Sequence, residues 1–194
     1  MRGMKKIVVK SLLANVERLE RQIARMGMEF TPMVWQQERI FVPSDYRPGM
    51  NQARMIIRTE VQTTEQPAGY RLFLKRHIGD SGIDIVHETA VADYNETVEI
   101  VQQLGFRTLA EISRRRRELR LDEQTVFNLD TVEGLMGTFL KIEVGIGNGS
   151  SVDAARKEVF RTLDLLGQET FIMQTYADLM TQQMQPYYLP GKEK

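Results

Sequence analysis

The sequence contains no cysteine. Disulfide staples, thiolate metal sites and cysteine nucleophiles are thereby excluded, and a reducing compartment is the expected setting, with a cytoplasmic protein as the default. Only two histidines occur, His77 and His87. They have no metal-ligand spacing with each other or with a nearby acidic pair, so both are expected to be structural or surface residues. Long apolar runs are missing too. Nothing reaches membrane length, and the apolar stretch within residues 1–10 is too short for a signal peptide. Charge of one sign is also lacking, with 26 Lys plus Arg against 26 Asp plus Glu. Such a balance gives no general basic field, so neither a membrane nor a nucleic-acid partner is expected, and any attraction for an anion must be local.

What is there suffices for a core. Of 194 residues 42% are apolar, and no proline-rich or low-complexity stretch divides them, so one domain is expected over 1–184. Residues 185–194, with two prolines, two tyrosines and a charged end, are expected to form a flexible tail. Helical spacing predicts four helices. Residues 13–26 place Leu13, Val16, Leu19, Ile23 and Met26 on one face before Gly27. Residues 94–104 lie between an Asp93 cap and Gly105, 152–166 between Ser151 and Gly167, and the fourth helix is expected at 170–182. Strands are expected at 5–10, 38–42, 54–59, 70–77, 83–92, 112–121, 125–129 and 139–146. About eight short strands joined mostly by tight turns suggest an antiparallel meander that closes or nearly closes, an α+β barrel with flanking helices. The glycine-rich stretch from Gly145 to Ser151 lacks a Gly-Lys-Ser/Thr ending and reads as a strand-to-helix turn with a serine cap.

The strands are unusually charged. Lys10, Arg54, Arg58, Arg71, Lys75, Arg114, Arg116, Lys141 and Glu143 all fall inside them, where a strand buried on both faces would carry none. With a period of two, Arg71, Phe73 and Lys75 share one face and Leu72 and Leu74 the other. For one strand this describes a solvated outer face. Repeated around a barrel, it also describes a charged lumen.

Several segments in order resemble the CYTH superfamily of triphosphate-tunnel proteins. Residues 90–143 carry Leu104-Gly105-Phe106, then Ser113-Arg114-Arg115-Arg116-Arg117, then Leu129-Asp130-Thr131-Val132-Glu133-Gly134-Leu135, then Phe139-Leu140-Lys141-Ile142-Glu143. Thr175-Tyr176-Ala177-Asp178-Leu179-Met180 is similar to the Ser-Tyr-x-x-Leu-Leu ending of the class IV adenylate cyclase branch. In the first half, Gln37-Glu38-Arg39-Ile40-Phe41, Ile56-Ile57-Arg58 and Leu74-Lys75 stand where that family has its own polar and basic strand motifs. The resemblance implies a β-barrel tunnel that binds a triphosphate with Lys and Arg, and Mg²⁺ or Mn²⁺ with carboxylates, as in class IV adenylate cyclases, thiamine triphosphatases and inorganic triphosphatases. By position, the triphosphate-binding residues would be Lys10, Arg58, Lys75, Arg114 and Arg116, and the metal-binding residues Glu88, Asp130 and Glu143. A register one residue off would exchange Arg114 and Arg116 for Arg115 and Arg117. The catalytic residues and a homodimer are left open.

Departures from that pattern are as informative. The family's opening Glu-x-Glu-x-Lys falls on Lys6-Ile7-Val8-Val9-Lys10, its late Glu-x-Glu on Lys141-Ile142-Glu143, and its Arg-x-Glu-x-Glu on Val86-His87-Glu88-Thr89-Ala90. Carboxylates that would meet a divalent cation are replaced by ammonium groups and hydrocarbon. Three readings follow: a module that binds a polyphosphate-bearing ligand with weak or no catalysis; a divergent metal-dependent cyclase or triphosphatase using Glu88, Asp130, Glu143 and Glu60; and a scaffold whose tunnel charges pair with each other.

Overall fold

The structure, a computed structural model, describes residues 4–47, 52–61, 69–78, 83–147, 151–182, 184 and 186–192. Its strands are β1 (Met4–Leu12), β2 (Val34–Pro43), β3 (Ala53–Val61), β4 (Gly69–Ile78), β5 (Ile83–Val91), β6 (Phe106–Arg120), β7 (Thr125–Val132) and β8 (Phe139–Gly145), with short β9 (Thr170–Phe171) and β10 (Tyr187–Tyr188). The helices are α1 (Val16–Arg25), α2 (Tyr94–Gln103), α3 (Val152–Leu165) and α4 (Tyr176–Leu179). All eight expected strands are present, and they close into one antiparallel barrel in the order β1-β5-β4-β3-β2-β6-β7-β8. Strand β1 makes the closure, pairing with β8 from Lys6↔Gly145 to Leu12↔Phe139 and with β5 only as far as Ile7↔Ile83.

Alternation gives the wall two faces, and the outer face is covered by helices. Ile7 and Val9 of β1 and Leu140 and Ile142 of β8 pack with Leu19 and Ile23 of α1 and Val159 and Leu163 of α3. On the opposite side Phe41 and Ile57 meet Val98 and Val101 of α2. Each such fully buried aliphatic or aromatic side chain contributes about 1.5–3 kcal/mol. Helices α2 and α3 start where expected, with the side chains of Asp93 and Ser151 accepting backbone N–H groups of their first turns, whereas α1 starts at Val16 rather than residue 13, where the Asn15 side chain caps it. Between β7 and β8 the chain turns through Gly137 at φ 84°, where a Cβ would stand 2.8 Å from the Leu12 side chain, so a larger residue would meet both strain and a clash.

The expected helix over 170–182 is not formed. Beyond Ile7 that side of β1 has no strand partner among the described residues, and Ile172 bridges to it, accepting from the Lys10 amide at 2.9 Å and donating to its carbonyl at 2.6 Å. Those backbone groups cannot also serve a helix. Helix begins only at Thr175, whose side chain and that of Asp178 form a reciprocal capping box around α4. This short helix lies across one end of the barrel. Residues 186–192, expected as a loose tail, instead pack on the domain. Tyr187–Tyr188 pairs with Thr170–Phe171, Tyr187 stacks on Phe171 at 5.5 Å, and Leu189 is buried in the outer core. Their apolar side chains find a face the composition does not reveal.

Candidate functional site

The inward face of the barrel carries three charge networks, each built by alternate residues of neighbouring strands. In the first, Glu38 of β2 accepts from Arg58 of β3 at 2.8 Å and from Arg114 of β6 at 2.6 Å, while Gln36 accepts a further Arg114 bond at 2.8 Å. Burial pushes the Glu38 carboxyl up, but the Arg114 and Arg58 guanidiniums outweigh it and hold the group well below the usual carboxylate range. In the second, Arg116 donates twice to Asp130 of β7, at 2.6 Å each, and the Tyr176 hydroxyl donates to the same carboxylate at 2.8 Å. Burial again acts to raise the Asp130 pKa, and Arg116 reverses it to about 2. In the third, Glu143 of β8 is clasped by Lys6 of β1 and Lys141 of its own strand. Asp130 has 0% exposure and Arg116 4%, so the second network is sealed from solvent.

Two lysines stand apart from these networks. Lys10 donates to the Gln174 carbonyl at 2.6 Å and lies 5.3 Å from the Tyr176 ring centroid. Lys75 of β4 makes neither a hydrogen bond nor an ion pair among the described residues, and its ammonium group is 5.7 Å from the Phe73 ring centroid. Burial, only partly offset by the carboxylates around them, lowers both to about 8. They face a cavity of about 580 Å³ lined by the cations Lys10, Arg54, Lys75, Arg114 and Lys141 and by the carboxylates Glu38, Asp84 and Asp178. Aliphatic side chains such as Ile40, Ile56 and Ile112 complete the wall, and the segment from Met173 to Asp178 roofs it. The His77 ring contacts Asp84 at 2.9 Å within the same lining.

Of the five basic residues expected from sequence, Lys10, Lys75 and Arg114 line this cavity. Arg58 and Arg116 also project inward, but are turned to Glu38 and Asp130. The structure fixes the arginine register: Arg114 and Arg116 face inward, whereas Arg115 lies over Trp35 and Arg117 over Phe30 on the outside. Trp35 stands on the outer wall, half exposed. Sequence reasoning missed Arg54 and Lys141 as cavity residues. Arg54 shares a face with Ile56 and Arg58 by the same period of two, and that signal was sufficient to find it. Lys141 was visible only as a lost carboxylate. Glu38 was quoted for its motif but not for its part in the first network, which depends on partners far away in sequence.

The expected acidic residues do not converge. Glu88 lies at the far mouth, exposed and paired with Arg71. Asp130 and Glu143 are each held by their own cations, and Glu60 accepts from Gln36 at 2.8 Å. Among the described residues no group of three or more Asp, Glu, His or Cys side chains could hold a metal ion. The donor set therefore does not fit a carboxylate cage for Mg²⁺ or Mn²⁺, which would have to displace an ammonium or guanidinium at every step.

A closed eight-stranded antiparallel barrel with helices outside and paired charges inside defines a tunnel protein of the triphosphate type in its fold. The chain belongs to the CYTH domain family, whose profile matches residues 4–176. Among solved structures it is similar to the PH1819 protein from Pyrococcus horikoshii OT3, with 20% identity, a TM-score of 0.76, and coverage of 90% of this chain and 97% of that one. A protein from Vibrio parahaemolyticus described as a candidate adenylate cyclase matches with 10% identity and a TM-score of 0.75, over 93% and 99% of the two chains. HpAC1 from Hippeastrum, described as having a dominant triphosphatase activity, matches with 13% identity and a TM-score of 0.59, over 91% and 94%. These likenesses concern the fold. No curated protein sequence matches the chain. Among the described residues no helix is long and apolar enough to cross a membrane.

Proposed function

We propose that the tunnel binds a triphosphate- or polyphosphate-bearing ligand through Lys10, Lys75 and Arg114, joined by Arg54 and Lys141, with weak or no catalysis. The observation that carries this reading is the excess of cations in one cavity: five basic side chains against three carboxylates, with Lys75 in no ion pair among the described residues. A buried positive charge without a partner is costly, and an anion with several charged oxygens relieves that cost at several walls at once. Arg58 and Arg116 act as supports in this reading, holding Glu38 and Asp130. A cytoplasmic setting, where nucleotides and other triphosphates are available, accompanies it. A divalent ion belongs to it only as a companion of the phosphate oxygens.

Thermal denaturation with ATP, thiamine triphosphate and inorganic triphosphate, each with and without Mg²⁺ or Mn²⁺, tests the proposal. A ligand present at a hundred times its dissociation constant should add roughly 2.7 kcal/mol of stability, and the effect should not require metal. Absence of a shift with all three would overturn the reading.

The metal-dependent enzyme is the alternative, and charge reversal separates the two. Lys6→Glu, Val8→Glu and Lys141→Glu together remove both ammonium partners of Glu143 and add three carboxylates beside it. Mn²⁺ affinity, read by calorimetry, should rise by a factor on the order of ten or more. Robust Mg²⁺- or Mn²⁺-dependent turnover by the unaltered protein, abolished by Glu143→Gln, would instead establish the enzyme.

A further inference from the structure

We propose that Lys75 is a nucleophile, and that the tunnel captures phosphorylated aldehydes as an imine on its side-chain nitrogen. The comparison among the inward lysines carries this. Lys6 and Lys141 are committed to Glu143, and Lys10 to the Gln174 carbonyl, so each spends its protons on an acceptor. Lys75 has no acceptor among the described residues, and its ammonium group rests over the face of Phe73. Its nitrogen is also reachable: the only side-chain polar atom that is sealed from solvent and unpartnered among the described residues is Asn128 Oδ1. The cavity it faces, at about 580 Å³, is of the size that encloses small organic molecules.

Burial favours the neutral amine. Around Lys75 stand Lys6 and Lys10 of β1, Glu38 of β2, Arg54 and Arg58 of β3, His77 of its own strand, Asp84 of β5, Arg114 of β6, and Lys141 and Glu143 of β8. Burial lowers the group to about 8, with Glu38 opposing and Lys6 and Arg58 reinforcing the shift. At about pH 7.5 about a quarter of such a lysine is unprotonated, against about 0.1% of an ordinary one. Arg54, Arg114 and Lys10 line the same cavity and would hold a phosphate while the aldehyde carbon meets the nitrogen. The step balances without an oxidant. The amine lone pair bonds to the carbonyl carbon, one N–H proton passes to the carbonyl oxygen, and the resulting carbinolamine loses water to leave a carbon–nitrogen double bond. This inference rests on the phosphate-binding reading only for how the aldehyde is held.

Pyridoxal 5′-phosphate is the probe. The full-length protein is incubated with it at about pH 7.5, reduced with borohydride, and digested for mass spectrometry. Lys75 should carry the pyridoxyl group ahead of every other lysine, and pyridoxal, which lacks the phosphate, should label it about tenfold less. Lys75→Arg keeps the charge but has no amine to condense, so it should lose the imine absorbance. Labelling spread evenly over exposed lysines such as Lys5 and Lys157, or undiminished imine formation by Lys75→Arg, would overturn the inference. Stabilisation by triphosphate without labelling of Lys75 would leave the binding function standing and remove the nucleophile. Labelling of Lys75 without any triphosphate stabilisation would do the reverse.

Discussion

Replacing Asp130 by alanine should destabilise the protein by about 3–5 kcal/mol, because it strands two buried groups at once. Among the described residues Arg116 would keep its charge with no acceptor, and the Tyr176 hydroxyl would lose its one hydrogen-bond partner, both of them buried. Urea denaturation is the measurement. A control separates the penalty of a broken pair from the worth of an intact one. Arg116→Met, Asp130→Leu and Tyr176→Phe together remove every member of the network, and this variant should recover most of the lost stability. A cost for Asp130→Ala below about 1 kcal/mol would show that the network is hydrated. The same carboxylate predicts acid behaviour. Its folded pKa of about 2 lies below the unfolded value near 3.9, so its contribution is complete above about pH 5 and is lost as the pH falls towards 2.

Affinity for ATP should fall about a hundredfold between pH 7 and pH 9, far more than for a site built from ordinary lysines. Lys10 and Lys75 both titrate near 8 in the unliganded protein, and a bound polyphosphate needs both charged. Each lysine then loses about tenfold over that interval, while the terminal phosphate of the nucleotide, with a pKa of about 6, is already ionised. Calorimetry in buffers of different ionisation enthalpy should detect proton uptake on binding near pH 8. Stability of the unliganded protein should move the other way. The folded values lie below the unfolded one, so from about pH 8 to about 10.5 the unfolded chain holds more protons and the fold gains stability as the pH rises. Binding that falls while stability climbs identifies buried lysines; parallel loss of both would contradict the assignment.

The barrel was legible because its signal is local. Alternation along β4, with Phe73 and Lys75 on one face and Leu72 and Leu74 on the other, is a property of neighbours and survives without tertiary information. Order and spacing of the basic strands supplied the family. The α4 region was misread because its helical composition is overridden by a remote contact: the vacant side of β1 captures Ile172, and no feature of residues 170–182 announces that. The basic lining of the cavity was legible in the identity of Lys10, Lys75 and Arg114, but not in the distinction that now matters among cations. Arg116 and Lys75 look equivalent along the chain. One is locked to Asp130 and the other has no hydrogen-bond or ion-pair partner among the described residues, a difference made by strand β7 and its register with β6.

Closure by β1 imposes an order on synthesis. Its two neighbours, β5 and β8, follow it in the chain, and the second is complete only at Gly145. At about 5–20 residues per second, the first strand leaves the ribosome on the order of ten seconds before the last partner it must zip to. During that interval the edge of β1 that later meets β8 is open, with Ile7 and Val9 alternating with Lys6 and Lys10 along it. The lysines that later line the tunnel serve there as gatekeepers, keeping a hydrophobic strand from pairing with other chains while it waits.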